Sequence, residues 1–384
     1  MNEQTVAKQQ PTTAVRTGKE FVSRLRETPR EVWVQGERVK DVTSHPVFAA
    51  SVEQLAKLYD MQHDPEHQDV LTYVDPATSK RFGTAFMPSH RHEDLVKRRE
   101  AFRTWAEATF GLMGRSPDFL NTTLLAFAEA KEFFGRAGAQ FADNILSYHN
   151  HVRDNDLFLS HALVTPQNDR SLTSAQQAEQ SMHLRVVKER DDGIVVRGAR
   201  MLATLGPVAD ELIMYNLPIF KEGLDEDHAI VFAVPVDAEG LRQICRTPYD
   251  TGGRSGFDYP LASRFEESDA LLIFHDVFVP WERPVQRALP GDRGAQPHGP
   301  SDQRPGPGED GVRRGSRDVG GAGDQGRPVS ACATDARRMP RPYRTDPQRY
   351  RPIGGRARTG VGGDDTDLPR AAPGSARLHV HGLS

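Results

Sequence analysis

The chain has 384 residues, enough to bury cores in two or three domains. Its 49 lysines and arginines against 53 aspartates and glutamates leave a net charge of −4, which excludes a strongly basic binder of nucleic acid or anionic membrane. The two cysteines, Cys245 and Cys332, stand far apart with no CxxC, which excludes a disulfide framework and an all-protein iron–sulfur centre.

The opening MNEQTVAKQQPTTAVRTGKE has no apolar run, so residues 1–17 are read as a flexible N-terminus rather than a signal or anchor. No stretch approaches the roughly 18 apolar residues a spanning helix needs, so no membrane partner and a cytoplasmic location are expected. Residues 18–145 read as a helical domain. GKEFVSRL (18–25) starts an amphipathic helix, VWVQGERV (32–39) is a small strand-like piece, and Pro46 to Tyr59 is a second helix. Residues 91–110 place Leu95, Phe102 and Trp105 on one helical face. In GRSPDFLN (114–121) Ser116 is the expected N-cap, Pro117 suits the first helical position and Asp118 the first turn. The helix that follows carries Leu124, Phe127, Phe134 and Phe141 at helical spacing, and Arg115 sits just ahead of its anion-favouring start.

From 146 to 287 the pattern is that of a β domain. RVVKERDDGIVVRG (185–198) is two β-branched runs around an Asp-Asp-Gly turn, a hairpin signal. Strands are expected at 211–220, 229–236 and 269–280, and their regular spacing suggests an antiparallel barrel or sandwich. The acidic run LDEDH (224–228) reads as a solvated loop and Cys245 as a small buried hydrophobe. The paired imidazoles of HRH (90–92) and HNH (149–151) invite a metal reading, but i,i+2 spacing on a helix points them to different faces, and no metal site is expected.

After VPWERPVQR (279–287) the character changes. From Gly291 onward there is no lysine, phenylalanine or tryptophan, one glutamate (Glu309), and nearly half the residues are Gly, Pro or Arg. Too few large apolar side chains remain to offset an ordering cost of roughly 1–2 kcal/mol per residue. Two readings account for residues 288–384: a naturally disordered tail, and a frameshift in a G+C-rich gene, whose out-of-frame codons yield mostly Arg, Gly, Pro and Ala. Neither leads to a packed domain.

GRSPDFLN (114–121), SHALVTPQNDR (160–170), RGARMLATLGPVADE (197–211) and HDVFVPWERP (275–284), in that order, resemble the flavin-dependent 4-hydroxyphenylacetate 3-hydroxylase family. RTGKEFVSRL and the VTSHPVF…LYDMQHDP region (42–65) extend the resemblance over about residues 15–287. It implies an α+β fold like that of acyl-CoA dehydrogenases: a helical domain, a β domain, and a C-terminal helical bundle that is missing here. It also implies the oxygenase half of a two-component system. A separate reductase supplies reduced FAD, O₂ reacts to give a flavin C4a-hydroperoxide, and one oxygen is placed ortho to a phenol hydroxyl. Members form homo-oligomers through the missing bundle.

By position, the resemblance makes Arg115 and His161 the catalytic contacts to the substrate hydroxyl. A neutral-to-cationic imidazole hydrogen-bonds the phenol, and a guanidinium holds the developing phenolate. Phe119, a substrate contact, stands where a tyrosine is common and lacks its hydroxyl. His161, Ala162 and Leu163 form the flavin edge, Gln167, Asn168, Asp169 and Arg170 the flavin-contacting polar turn, and Thr204 a flavin-contacting hydroxyl. The phenol itself stays open: free hydroxyphenylacetate, a chlorinated phenol or a carrier-bound tyrosyl group. Two other functions compete. One is a catalytically dead product that at most binds flavin or sister subunits. The other is a hydroxyacyl-CoA dehydratase on the same scaffold, whose cluster needs more cysteines than this chain has.

Overall fold

Thr17 and Glu20 start the first helix, α1 (Gly18–Glu27), with reciprocal caps. The Thr17 hydroxyl accepts the Glu20 amide at 3.2 Å, and the Glu20 carboxylate accepts the Thr17 amide at 2.7 Å. The computed structural model describes residues 12–215, 223–249 and 256–287. The strand residues expected at 216–220 and the disordered tail expected over 288–384 lie outside the described residues. A Cβ on Gly18 would overlap the Ala56 carbonyl, so α1 closes on α2 (Ala49–Met61) only because no side chain stands there. Residues 12–17, read as flexible, are pinned: the Ala14 amide donates to the Arg81 carbonyl and the Arg81 amide to the Thr12 carbonyl, both at 2.9 Å.

VWVQGERV is a complete hairpin, β1 (Val32–Val34) and β2 (Glu37–Val39). It turns through positive φ at Gln35 and Gly36, as a two-residue primed turn demands. A short helix α3 (Gln68–Leu71) leads into a small ribbon, β3 (Thr72–Val74) and β4 (Arg81–Gly83). The helix expected over 91–110 is α4 (His92–Ala108). Ala101 and Trp105 form its buried face, whereas Leu95, in the helix's first turn, is 54% exposed. The single helix expected from Pro117 is three: α5 (Pro117–Glu129), α6 (Lys131–Phe134) and α7 (Ala139–Asp154). A 3-10 turn at Gly135–Ala137 and Gly138, at φ 149°, make the break. Leu124, Phe134 and Phe141 are nonetheless buried together. The helical run thus extends past 145 to Asp154.

The remaining strands are β5 (Leu159–Ala162), β6 (Arg185–Arg190), β7 (Gly193–Thr204), β8 (Glu211–Met214), β9 (Ile230–Pro235), β10 (Leu241–Cys245), β11 (Asp269–Pro280) and β12 (Pro284–Arg287). β6 and β7 are the expected hairpin. One sheet has the order β2-β1-β10-β11-β7-β6 and the other β12-β9-β8-β5. Phe232 of β9 and Phe274 of β11 meet at 6.0 Å in the core between them. Among the described residues neither sheet closes on itself, and the fold is mixed α+β. The all-antiparallel expectation fails at two joints, where β1 pairs with β10 and β5 with β8 in parallel. Parallel neighbours need a crossover connection, and the β6–β7 hairpin in the opposite sheet supplies it for β5 and β8. The LDEDH run is not a solvated loop throughout: Asp225 is 1% and His228 3% exposed.

An ionic joint ties the helices to the sheets. Asp210, with a side chain 1% exposed, accepts from Arg16 Nη2 at 2.7 Å, Arg24 Nε at 2.9 Å and the Phe158 amide at 2.7 Å. Arg16 also donates to Tyr59 Oη at 3.0 Å and lies over the Tyr59 ring. Removing one member of such a group leaves a buried charge uncompensated. Asp210→Ala is therefore expected to lower stability in urea unfolding by about 3–5 kcal/mol. Arg16→Ala combined with it should cost at least about 1 kcal/mol less than the sum of the single losses; strict additivity would show the pair to be uncoupled.

Candidate functional site

The start of α5 attracts an anion through its unpaired amides, and a carboxylate meets the chain just ahead of it. The Arg115 amide donates to Glu267 Oε1 at 2.7 Å, and burial pushes the Glu267 carboxyl upward. Ser116 occupies the N-cap position without accepting a helix amide, and its hydroxyl donates to Asp118 Oδ1 at 2.5 Å. The Arg115 side chain donates from Nη1 to the Gly114 carbonyl at 3.1 Å and lies over Phe119, with Cζ 4.5 Å from the ring centroid. That places the guanidinium on one side of an aromatic ring.

His161 lies on another side of it. β5 carries His161 on the face opposite to Ala162, and its ring meets Phe119 edge to face at 5.6 Å and 83°. The imidazole also meets Tyr215 at 6.1 Å, and Tyr215 meets Phe127 at 5.7 Å. Within this cluster Arg115 Nε, His161 Nδ1 and Tyr215 Oη are buried without a hydrogen-bond partner among the described residues. Each orphaned polar atom costs about 1–3 kcal/mol unless something else satisfies it. The three belong to one aromatic cluster, where a polar ligand would return the missing bonds. His161 is 7% exposed, and burial, with the Arg115 cation adding to it, holds its pKa down at about 4. The imidazole is therefore neutral near pH 7 rather than neutral-to-cationic.

The residues assigned to the flavin divide into two groups. Gln167, Asn168, Asp169 and Arg170 form an exposed polar turn. Leu163 packs beside Phe119 against the helical core. Ala162 is fully buried in the core between the sheets, and its carbonyl accepts the Tyr215 amide, so the structure leaves it nothing to offer a cofactor. Thr204 closes β7, and its hydroxyl already donates to Asp269 Oδ1 at 2.6 Å, leaving it free to act as an acceptor. β7 links the groups, because the Met201 amide donates to the Val164 carbonyl at 2.7 Å. An open polar turn and orphaned donors and acceptors fit a flavin nucleotide beside a phenol. The HNH imidazoles diverge: His149 meets Phe86 at 6.0 Å, while His151 Nε2 stands 3.4 Å from Glu211 Oε1. Exposed Asp64 and Glu66 and half-buried His67 bring three potential ligand atoms within 4.8 Å of one another; there Asp64 Oδ1 accepts the Glu66 amide.

Sequence reasoning missed Tyr215 and Glu267. Tyr215 lies just past β8, within the expected strand 211–220, and parallel pairing with β5 is what brings it to His161. Glu267 has no local signal, since its partner at Arg115 belongs to a different element.

The family model described as 4-hydroxyphenylacetate 3-hydroxylase, N terminal, matches residues 17–285. The 4-hydroxyphenylacetate 3-monooxygenase oxygenase component of Thermus thermophilus is 44% identical over 268 residues, covering 70% of this chain and 54% of the relative. The protein of the same name from Geobacillus is 40% identical over 269 residues, with the same coverage of each chain. A crystal structure of such an oxygenase component complexed with FAD and 4-hydroxyphenylacetate superposes with a TM-score of 0.67 at 42% identity, covering 72% of this chain and 56% of that one. The chain belongs to the 4-hydroxyphenylacetate 3-hydroxylase family and spans about half the length of the curated relatives it matches. Among the described residues no helix is long and apolar enough to cross a membrane.

The depressed His161 pKa has a consequence for stability. The unfolded chain takes up this proton near pH 6.5 and the folded chain only near pH 4, so stability is full above about pH 6.5 and falls as pH drops toward 4. Chemical denaturation between pH 7 and 4 should show His161→Gln losing less stability than the parent, by about 1–3 kcal/mol at the acid end. Parallel pH profiles would mean that His161 is not buried in its neutral form.

Proposed function

We propose that this chain is the catalytic part of an oxygenase component that inserts one oxygen ortho to the hydroxyl of a small phenol, using reduced FAD from a separate reductase and O₂, in the cytoplasm. One observation carries the reading: Arg115 and His161 meet on the Phe119 ring with Arg115 Nε and His161 Nδ1 buried and unpartnered. When bound, reduced FAD supplies the reducing equivalents that activate O₂. Gln167, Asn168, Asp169, Arg170 and the Thr204 hydroxyl are the groups to hold it, with Leu163 along its edge.

The chain's own residues divide the work on the phenol. A phenol titrates near pH 10, whereas His161 titrates at about 4. A gap of about 6 pKa units, or about 8 kcal/mol, argues against full proton transfer to the imidazole. His161 therefore acts as a hydrogen-bond partner that draws electron density toward the ring. Arg115 stabilises the charge that develops on the oxygen, inside a site from which Phe119 and Tyr215 exclude water. Phe119 contributes a ring face and no hydroxyl. A second reading, flavin or subunit binding without turnover, draws support from the coverage of only 56% of the solved oxygenase chain.

Chemically reduced FAD, O₂ and a panel of phenols added to the purified chain should yield catechols, quantified by chromatography. Arg115→Ala is expected to lower the yield rate by about 10²–10³-fold and His161→Ala by about 10²-fold, with FAD binding retained in both. FAD binding without any catechol from the unsubstituted chain would favour the second reading.

A further inference from the structure

Residues 164–183 leave the end of β5 and return to the head of β6 as a strap anchored on one strand. At its start the Val164 carbonyl accepts the Met201 amide, and at its end His183 bridges Ala199 in parallel register, so both ends rest on β7. Gly198, at φ 125°, permits the second anchor, because a Cβ there would overlap the His183 carbonyl. The strap is polar and exposed at its crown, Gln167 to Arg170, and polar and buried at its feet. Ser174 is 8%, Gln177 6% and His183 6% exposed.

Hydrogen bonds tie the buried feet to the shoulders and the backbone of the crown. His183 Nε2 lies 3.1 Å from the Pro166 carbonyl and Nδ1 lies 2.9 Å from Ser174 Oγ. A carbonyl only accepts, so Nε2 carries the proton and the neutral ring's Nδ1 accepts from the Ser174 hydroxyl. Pro166 immediately precedes the crown and Ser174 follows it, so a single imidazole clasps both shoulders of the turn. Gln177 Nε2 donates to the Asp169 carbonyl at 2.8 Å within the turn, and Asp225 Oδ1 accepts the Ala175 amide at 2.9 Å from outside. Burial keeps the His183 pKa below its usual value, with Arg200 acting in the same direction and Asp225 and the Pro166 carbonyl against it, which favours the neutral ring that these bonds require.

We propose that His183 is a positioning residue for cofactor binding: through Pro166 and Ser174 it holds the Gln167–Arg170 crown in the one shape that receives a flavin nucleotide. The flavin half of this statement rests on the reading in the preceding subsection; the clasp itself does not. Pre-organising an exposed loop removes an ordering cost that binding would otherwise carry. His183 touches neither substrate nor cofactor and acts only through the turn.

The test uses the full chain with Ser174→Ala, His183→Gln and His183→Ala. Trypsin cleavage after Arg170 under native conditions reports the crown directly, FAD fluorescence quenching reports affinity for oxidised FAD, and Tm without FAD reports the fold. His183→Ala is expected to speed cleavage at Arg170 and weaken FAD binding, each by about tenfold, for the loss of two hydrogen bonds. Ser174→Ala, a milder change, should do the same by about threefold with Tm unchanged. His183→Gln keeps a side-chain donor for the Pro166 carbonyl and should recover part of both effects. Unchanged cleavage at Arg170 in all three variants overturns the positioning role. Faster cleavage with unchanged FAD affinity overturns the link from crown to cofactor. Failure of the unsubstituted chain to bind FAD sinks the flavin reading instead, while the cleavage rates still decide the clasp.

Discussion

The carboxylate of Asp210 is the constraint on which the rest of the structure depends. It gathers two arginines from the N-terminal segment and helix, and it also accepts the amide of Phe158, the residue just ahead of β5. The Asp210 amide returns a bond to the Phe158 carbonyl at 2.8 Å, so the two strand starts are locked side by side before β5 and β8 pair. The parallel register that follows sets His161 opposite Ile213 and Ala162 opposite Met214. Because strand side chains alternate, a slip of one residue would exchange His161 for Ala162 at the aromatic cluster and put an imidazole into the core. The next residue, Glu211, points the other way, where it accepts from Arg283 and faces His151 of α7. Two adjacent acids therefore fasten the same strand to different parts of the fold.

The site built on this joint is stiff below and open above. Phe119, His161, Tyr215 and Phe127 interlock edge to face, which fixes ring orientations more narrowly than apolar contact alone. Against this rigid floor the protein leaves polar atoms of Arg115, His161 and Tyr215 unsatisfied, a local cost that makes sense where a polar ligand returns the missing bonds. The polar turn beyond β5 is exposed at its tip and held from beneath. The apolar run 157–163 and the polar run 164–170 thus serve one purpose in sequence: the first delivers an imidazole from a buried strand, and the second presents amides and charges at the surface.

Much of this was legible in the sequence for identifiable reasons. The β6–β7 hairpin announced itself through β-branched runs around Asp191 and Asp192, and α5 through Pro117 at its first position. Arg115, Phe119 and His161 were legible only as an ordered set of short motifs, and it is the set that the fold brings together. Local pattern carries no information on long-range pairing, so the parallel joints of β5 with β8 and β1 with β10 were not foreseen, nor Glu267 beneath Arg115. The ionic role of Arg16 was hidden for the same reason, because Tyr59, Asp156 and Asp210 reach it from separate segments. Leu95 and the LDEDH run misled in opposite directions: an apolar residue in a helix's first turn stayed exposed, and an acid in a polar loop was buried because Asp225 accepts the Ala175 amide. The His161 charge state depended on burial depth, which no motif reports.

The most direct measurement is a crystal structure of this chain with FAD and 4-hydroxyphenylacetate. The phenolic oxygen should lie within hydrogen-bonding distance of both His161 and the Arg115 guanidinium, over the Phe119 ring, with the flavin against residues 167–170. Density for the phenol elsewhere, or Arg115 and His161 turned to separate surfaces, would contradict the shared site.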